Sequence, residues 1–226
     1  QKTLLIVGVA ITISWILCGI FFQAPDKSLV NAGGSAEKSG TPEMKQYTSG
    51  EMMRTKNFYL LLATMFFGLI SYFMVSPVSQ TYQIDLGIPS AVAVSAVMLG
   101  SIVNAGARLV LPTLADKVGR IVCIKGVLIV AVIAMGVLAV SRSLAVTVAV
   151  VLMYGCYGGI MGSFPSLTSS IFGMKHTGEN YGFVMFGIVF ATFGAPAISG
   201  LVSSNGYEMN VVFGIGAVFA VIAFVC

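Results

Sequence analysis

Arg108 combines a residue type and a position that favour anion chemistry. It lies inside a long apolar stretch, from Ala91 to Leu114, and no acidic residue lies within one helical turn of it. A cation at the centre of a membrane helix costs roughly 2.5 to 3.5 kcal/mol, so water, an anion or a partner helix must offset that cost. A guanidinium also presents a planar fork of donors that suits a carboxylate. The sequence therefore predicts an anion site at Arg108.

The spacing along the same stretch gives this site a depth and a neighbour. Asp116 follows Arg108 by eight residues, which corresponds to about 12 Å of helix, against a hydrocarbon half-thickness of about 15 Å. Asn104 lies one turn before Arg108 on the same helical face. We therefore predict that Arg108 and Asn104 bind substrate. The alternative is a structural arginine that bonds to carbonyls or reaches the membrane surface.

Two further stretches carry polar or aromatic side chains that favour a cavity. Helix 57–82 has a polar stripe, which Pro77 interrupts; its members are Tyr72, Ser76, Ser79, Gln80 and Gln83. Proline frees a carbonyl and permits a kink, so this stripe is either a moving cavity wall, with Tyr72 and Ser76 at the substrate, or polar contact between helices. Stretch 144–171 adds the hydroxyls of Tyr154 and Tyr157. Its glycines indicate close helix packing rather than a hinge; they are Gly155, Gly158, Gly159 and Gly162.

The composition indicates a membrane protein and excludes several function classes. Hydrophobic residues make up 57% of the chain and charged residues only 9%, whereas soluble domains carry about 25% charged residues. The net charge of +4 comes from basic residues in short turns, which is not the pattern of nucleic-acid binding. The cysteines are far apart, and neither metal-ligand spacing nor a catalytic pair is present. We expect no metal, no cofactor and no enzyme activity.

Seven apolar stretches are long enough to cross a bilayer, which needs about 20 residues. They are 3–22, 57–82, 90–113, 121–141, 144–171, 180–202 and 210–226. Strict alternation is absent, which argues against an outer-membrane barrel. The sequence predicts an all-α polytopic membrane protein with a helix at 1–22, a polar linker at 23–56 and a six-helix bundle at 57–226. The end of the linker, Thr48 to Arg54, is expected to start a short interfacial helix.

The distribution of basic residues predicts the orientation in the membrane. Linker 23–56 and the turn 114–121 carry most of the lysines and arginines, so both are expected to be cytoplasmic, in a plasma or inner membrane. A long cytoplasmic linker after one helix and before six more is what a cut before helix six of a twelve-helix protein gives. We therefore expect that an N-terminal half is missing.

The turn after the third stretch resembles a known signature. Asp116, Lys117, Gly119 and Arg120 are similar to the Asp-Arg/Lys-x-Gly-Arg part of the motif of the major facilitator superfamily, in which Gly119 permits a tight reversal. Pro112 stands where that motif begins with glycine. The resemblance implies a transporter of two six-helix bundles, in which Asp116 and Arg120 pack against neighbouring cytoplasmic helix ends.

Other segments resemble the oxalate/formate antiporter family within that superfamily. They are Ser49–Thr55, Asn104–Arg108, Phe164–Ser166, Ile171–Gly173 and Asn180–Gly182. This resemblance implies the C-terminal half of a carboxylate transporter, with Arg108 as the arginine of helix eight that binds the substrate and Tyr157 as a cavity aromatic. The lysine that the oxalate transporter carries on helix eleven corresponds here to Ile188.

A single cation balances the one negative charge of a monocarboxylate better than it balances the two charges of a dianion. We therefore expect a monocarboxylate such as formate, lactate or pyruvate, moved with a proton or against a counter-anion. Oxalate/formate exchange proper is one alternative. A seven-helix receptor is another, although the last helix has no lysine for a photoreceptor pigment.

Overall fold

The computed structural model describes residues 2–21 and 45–226, which fall into two units, 1–43 and 44–226. In the first unit, α1 (Lys2–Phe21) is an apolar helix of 20 residues. Residues 22–44, which include most of the predicted linker 23–56, lie outside the described residues. The second unit contains everything discussed below.

The described part of the second unit contains helices and connecting turns, with no strand among residues 45–226. Its helices are α2 (Ser49–Met52), α3 (Lys56–Val75), α4 (Ser79–Asp85), α5 (Ser90–Val118), α6 (Arg120–Val140), α7 (Ala145–Phe172), α8 (Thr177–Val184), α9 (Phe186–Ser204) and α10 (Met209–Val225). The 3-10 turn Ser76–Val78 joins α3 to α4, and Met185 alone separates α8 from α9. The prediction of an all-α polytopic fold is confirmed.

Five continuous or nearly continuous helical segments in the described residues have the length and apolar composition of membrane spans. They are Lys56–Asp85, Ser90–Val118, Arg120–Val140, Ala145–Phe172 and Thr177–Ser204. The first and last of the seven predicted spans correspond to shorter apolar helices, Leu5–Ile20 and Met209–Val225. Each predicted span therefore coincides with an apolar helix.

The core of the second unit lies between α3, α6, α7 and α10. Its largest fully buried side chains include Met65, Leu69, Leu128, Met135, Met153, Ile160, Phe164 and Phe213. Helix α5 differs from these helices, since only 11% of its most apolar 18-residue segment is buried, compared with 50% for α7. It packs along α7 and leaves most of its surface outside the bundle.

The predicted break at Pro77 is present. Helix α3 ends at Val75, and Pro77 lies in the 3-10 turn that follows. The pyrrolidine nitrogen carries no hydrogen, so the regular helical hydrogen bond cannot form there. Helix α4 then begins at Ser79, whose hydroxyl donates to the Ser76 carbonyl at 3.0 Å.

Residues 45–53, which we call the strap, contain the short helix α2, which lies within the segment Thr48 to Arg54 where the sequence predicted one. The Thr48 side chain accepts the Glu51 amide, and the Glu51 carboxylate accepts the Thr48 amide at 2.9 Å. This reciprocal arrangement is a capping box. The bond from the Thr48 backbone, followed by that from its hydroxyl, lowers the pKa of Glu51, so the carboxylate stays ionised.

The strap is packed on the bundle, although the sequence grouped it with a flexible linker. The Tyr47 amide donates to the Phe172 carbonyl at 2.9 Å, and the fully buried Asn180 donates from Nδ2 to the Tyr47 carbonyl at 3.0 Å. Asn180 Oδ1 accepts the Ser49 hydroxyl at 3.1 Å, and the Met52 side chain is fully buried. These contacts join the strap to the ends of α7 and α8.

We expect Asn180→Ala to release the strap, because it leaves the Tyr47 carbonyl without its side-chain donor. It also removes one of the two acceptors of the Ser49 hydroxyl, the other being Glu179 Oε2 at 3.3 Å. The expected cost is about 1 to 3 kcal/mol. Limited proteolysis should then cut within residues 45–54 faster than in the parent protein. Asn205→Ala is the matched control, since Asn205 is exposed and bonds only to its own helix. Equal cleavage rates in both variants would contradict the role given to Asn180.

Candidate functional site

The Arg108 side chain is held by two groups that the sequence predicted as its neighbours. Its Nε donates to Asn104 Oδ1 at 3.2 Å, one turn earlier on α5. Its guanidinium carbon lies 5.5 Å from the centre of the Tyr157 ring, which is within cation–π range. Within residues 45–226 no carboxylate forms a salt bridge with Arg108. The guanidinium is therefore oriented, but no carboxylate of residues 45–226 neutralises it.

An aromatic wall lies behind the guanidinium. Tyr157 of α7 stacks on Tyr72 of α3, with ring centres 4.2 Å apart and planes at 13°. Tyr154 meets the Tyr72 ring edge-on at 5.3 Å, and Phe73 meets Tyr157 at 5.9 Å. Three of the predicted site residues, Arg108, Tyr157 and Tyr72, thus come from three helices and lie together.

Ser76 and Tyr181 complete the surroundings of this wall. Ser76 lies directly beyond Tyr72 and donates its amide to the Tyr72 carbonyl, so it stands at the break between α3 and α4. Tyr181 of α8 lies close enough to Arg108 and Tyr157 to interact with both electrostatically. Sequence reasoning did not predict Tyr181 as a site residue. Its presence in the Asn180–Gly182 segment was the signal available.

Glycines of α7 set the distance between the two helices that carry the site. A Cβ at Gly158 would overlap the backbone carbonyl of Asn104, and one at Gly162 would lie 2.8 Å from the Arg108 carbonyl oxygen. Real Cβ atoms do not approach backbone so closely, so only glycine permits this contact. The predicted packing role of these glycines is confirmed, and it places α7 against the backbone of Asn104 and Arg108.

Gly162 also accounts for Pro112, which stands where the resembled motif has glycine. A Cβ at Gly162 would lie 3.2 Å from the Pro112 ring. The small residue at this crossing is therefore on α7, and α5 carries the larger proline. Close packing is therefore retained at this crossing, although α5 carries a proline.

Beyond the break, two residues of the polar stripe make contacts between helices and a third is exposed. The Ser79 hydroxyl lies 3.4 Å from that of Tyr154, and Gln83 donates to the Ser79 carbonyl at 2.7 Å. Gln83 Oε1 accepts the Thr147 hydroxyl at 2.9 Å. Ser79 and Gln83 are buried contacts between α4 and α7, whereas Gln80 is exposed.

The charged turn connects α5, α6 and α7. Gly119 has φ +102°, a conformation that favours glycine. Asp116 pairs at 3.2 Å with Arg120, the first residue of α6, and Arg120 also donates to the Ser166 carbonyl of α7 at 2.9 Å. Lys117 is exposed. Arg120 makes the contact across helices, and Asp116 orients it.

Known proteins resemble this chain in sequence. The family model described as Major Facilitator Superfamily matches residues 2–191. The chain belongs to the Major Facilitator Superfamily. It is 31% identical to the uncharacterized MFS-type transporter YhjX of Escherichia coli over 192 residues, 83% of this chain and 46% of that protein. It is 27% identical to the oxalate:formate antiporter of Oxalobacter formigenes over 183 residues, 80% and 44% of the two chains.

Membership in the Major Facilitator Superfamily agrees with the apolar helices and identifies an integral membrane protein. It removes the seven-helix receptor as an alternative. The recognition of a transporter family that includes an oxalate:formate antiporter is confirmed. The chain spans about half the length of the curated relatives it matches.

Substitution of Gly162 tests whether helix contact positions the site. We expect Gly162→Ala to destabilise the bundle by about 1 to 3 kcal/mol, because its Cβ would press on the Arg108 backbone. Gly136→Ala is the control, since a Cβ there meets nothing within 4 Å; it should be neutral or stabilising by up to about 1 kcal/mol. Thermal melting of the purified variants measures whether each substitution lowers or raises the stability. A melting temperature of Gly162→Ala at or above that of Gly136→Ala would contradict the packing role.

Proposed function

We propose that this chain forms the carboxylate-binding half of a secondary transporter, which carries small monocarboxylates such as formate, lactate or pyruvate. The observation that supports this most directly is the guanidinium of Arg108 in a membrane helix, which Asn104 and Tyr157 hold and which no carboxylate of residues 45–226 neutralises. Intramembrane charges are costly and mark substrate or ion pathways. The family supports transport, and the charge supports an anion.

The direction of the Arg108 side chain favours an anion site over a structural arginine. Nε bonds to Asn104, which precedes Arg108 in α5 and so lies farther from the charged turn at Asp116. A side chain that reached for the nearer membrane surface would extend the other way. Both Nη groups are without an acceptor within residues 45–226, so they can bind a carboxylate in the bidentate geometry that arginine prefers.

Alternating access supplies the mechanism for a protein of this family. Two bundles rock about a site at the midplane and expose it to each side in turn. In this proposal α5 faces the second bundle, which accounts for its small buried fraction. Tyr72, Ser76 and Tyr157 shape the cavity around the carboxylate. The turn with Asp116, Lys117, Gly119 and Arg120 holds the ends of α5, α6 and α7 together as they move.

The preference for a monocarboxylate rests on charge balance. Ile188 is half-buried and packs against the apolar core, at the position where the resembled transporter has a second cation. One guanidinium matches one carboxylate, and a co-transported proton or an exchanged anion completes the cycle. Oxalate/formate exchange is the second candidate, favoured by the relative that carries that name. We further propose that segments 23–56 and 114–121 face the cytoplasm, across a plasma or inner membrane.

Arg108→Lys and Arg108→Gln test the substrate cation. Loss of charge-assisted hydrogen bonds of roughly 1.5 to 3 kcal/mol corresponds to about 10- to 150-fold weaker binding. We expect a larger loss in Arg108→Gln, because lysine keeps the charge without the fork. Counterflow in liposomes that contain the complete carrier measures this, with Arg142→Gln, at an exposed pair with Glu208, as the control. Unchanged uptake in both Arg108 variants would contradict the assignment of Arg108 as the cation that binds the substrate.

A panel of competing anions tests the substrate class. Formate, lactate and pyruvate should compete for uptake at lower concentrations than oxalate or malonate, because a dianion leaves one charge uncompensated beside Ile188. The inhibition constants of the parent carrier give the order directly. A preference for oxalate would favour the exchange alternative and leave the role of Arg108 intact.

A further inference from the structure

A cavity lies away from Arg108, where the ends of four helices meet. Its volume is about 290 Å³, at the lower limit of common ligand sites. It is formed by the first turns of α3 and α6 and the last turns of α7 and α10. None of the residues assigned above to the substrate site lines it. It is therefore a separate feature of the bundle.

The walls of this cavity are apolar except for a few groups. Asn57, Thr64 and Lys125 supply the polar side chains, beside apolar groups such as Leu60, Leu128 and Phe224. The Thr64 hydroxyl is already bonded to the Leu60 carbonyl at 2.8 Å. Among residues 45–226, Lys125 is thus the only charged one that lines the cavity.

Lys125 has no anionic partner in the described part of the chain. Its ammonium lies 5.6 Å from the centre of the Phe224 ring, and none of the salt bridges of residues 45–226 includes it. A cation–π contact does not neutralise the charge. The cavity therefore combines an apolar interior with an unpaired cation, which is complementary to an amphiphile with an anionic head.

The end of the bundle that holds this cavity is basic. Within residues 45–226 the basic residues at this end are Lys45, Arg54, Lys56, Lys117, Arg120, Lys125 and Lys175, whereas the opposite end has Arg142. Such an excess predicts the cytoplasmic side. The leaflet there is rich in anionic lipids, and basic pockets between helices on that side bind their headgroups.

We propose that the cavity binds an anionic phospholipid, whose phosphate pairs with Lys125 and one of whose acyl chains lies against the apolar walls. A soluble anion would leave those walls without a partner, and a neutral lipid would leave the ammonium without a full counter-charge. This proposal is independent of the substrate and rests on the cavity, on Lys125 and on the cytoplasmic orientation proposed above.

Melting temperatures in lipid nanodiscs test the proposal. The full chain is compared in phosphatidylcholine alone and in phosphatidylcholine with added phosphatidylglycerol. A ligand that binds only the folded state raises the melting temperature, so we expect a gain of a few degrees with the anionic lipid. Lys125→Gln and Leu60→Trp should lose most of that gain, the first by removing the charge and the second by filling the cavity. Lys125→Arg should keep it.

Lys175→Gln is the matched control, because Lys175 is exposed at the same end and does not line the cavity. It should keep the gain. Equal losses in Lys125→Gln and Lys175→Gln would show general attraction to the surface and overturn the site. So would an unchanged melting temperature when phosphatidylglycerol is added to phosphatidylcholine, or a full gain from inorganic phosphate in detergent. If Lys125→Gln does not fold, Leu60→Trp and Lys125→Arg decide the question.

Discussion

The close approach of α5 and α7 is the constraint on which the rest of the site depends. Gly158 and Gly162 bring α7 against the backbone of Asn104 and Arg108, and Tyr157 is the neighbour of Gly158 in the chain. The same contact that brings the helices together therefore places an aromatic ring beside the guanidinium. Arg108 is therefore oriented both by Asn104 on its own helix and by the Tyr157 ring of α7.

Apolar length was sufficient to predict which helices exist, because a span is read directly from composition. Local breaks were predicted only where a residue enforces them. Pro77 removes a backbone donor and its break is present, whereas the break at Met185 has no such residue and was not predicted. The strap shows the same limit. Its capping box is local and readable, but its attachment depends on Asn180, 131 residues from Ser49.

The site follows the same division between local and distant contacts. Asn104 and Arg108 are four residues apart on one helix, so their hydrogen bond follows from helical spacing. The stacking of Tyr157 on Tyr72 joins α7 to α3 and depends on packing. Tyr181 comes from a fourth helix, α8, and was missed for that reason. Pro112 gave no sign that Gly162 supplies the small residue of its crossing, because a single sequence does not show which helices meet.

Tyr72 and Ser79 lie on opposite sides of the Pro77 break, and both contact α7 through neighbouring aromatic residues. Tyr72 stacks on Tyr157, while Ser79 meets the Tyr154 hydroxyl. Gln83 and Thr147 fix α4 to α7 one turn farther on. A bend at Ser76–Val78 therefore cannot preserve both contacts with α7. If α4 keeps its bonds to α7 and moves relative to α3, Tyr72 on α3 must shift against Tyr157 on α7. The surface that faces Arg108 then changes.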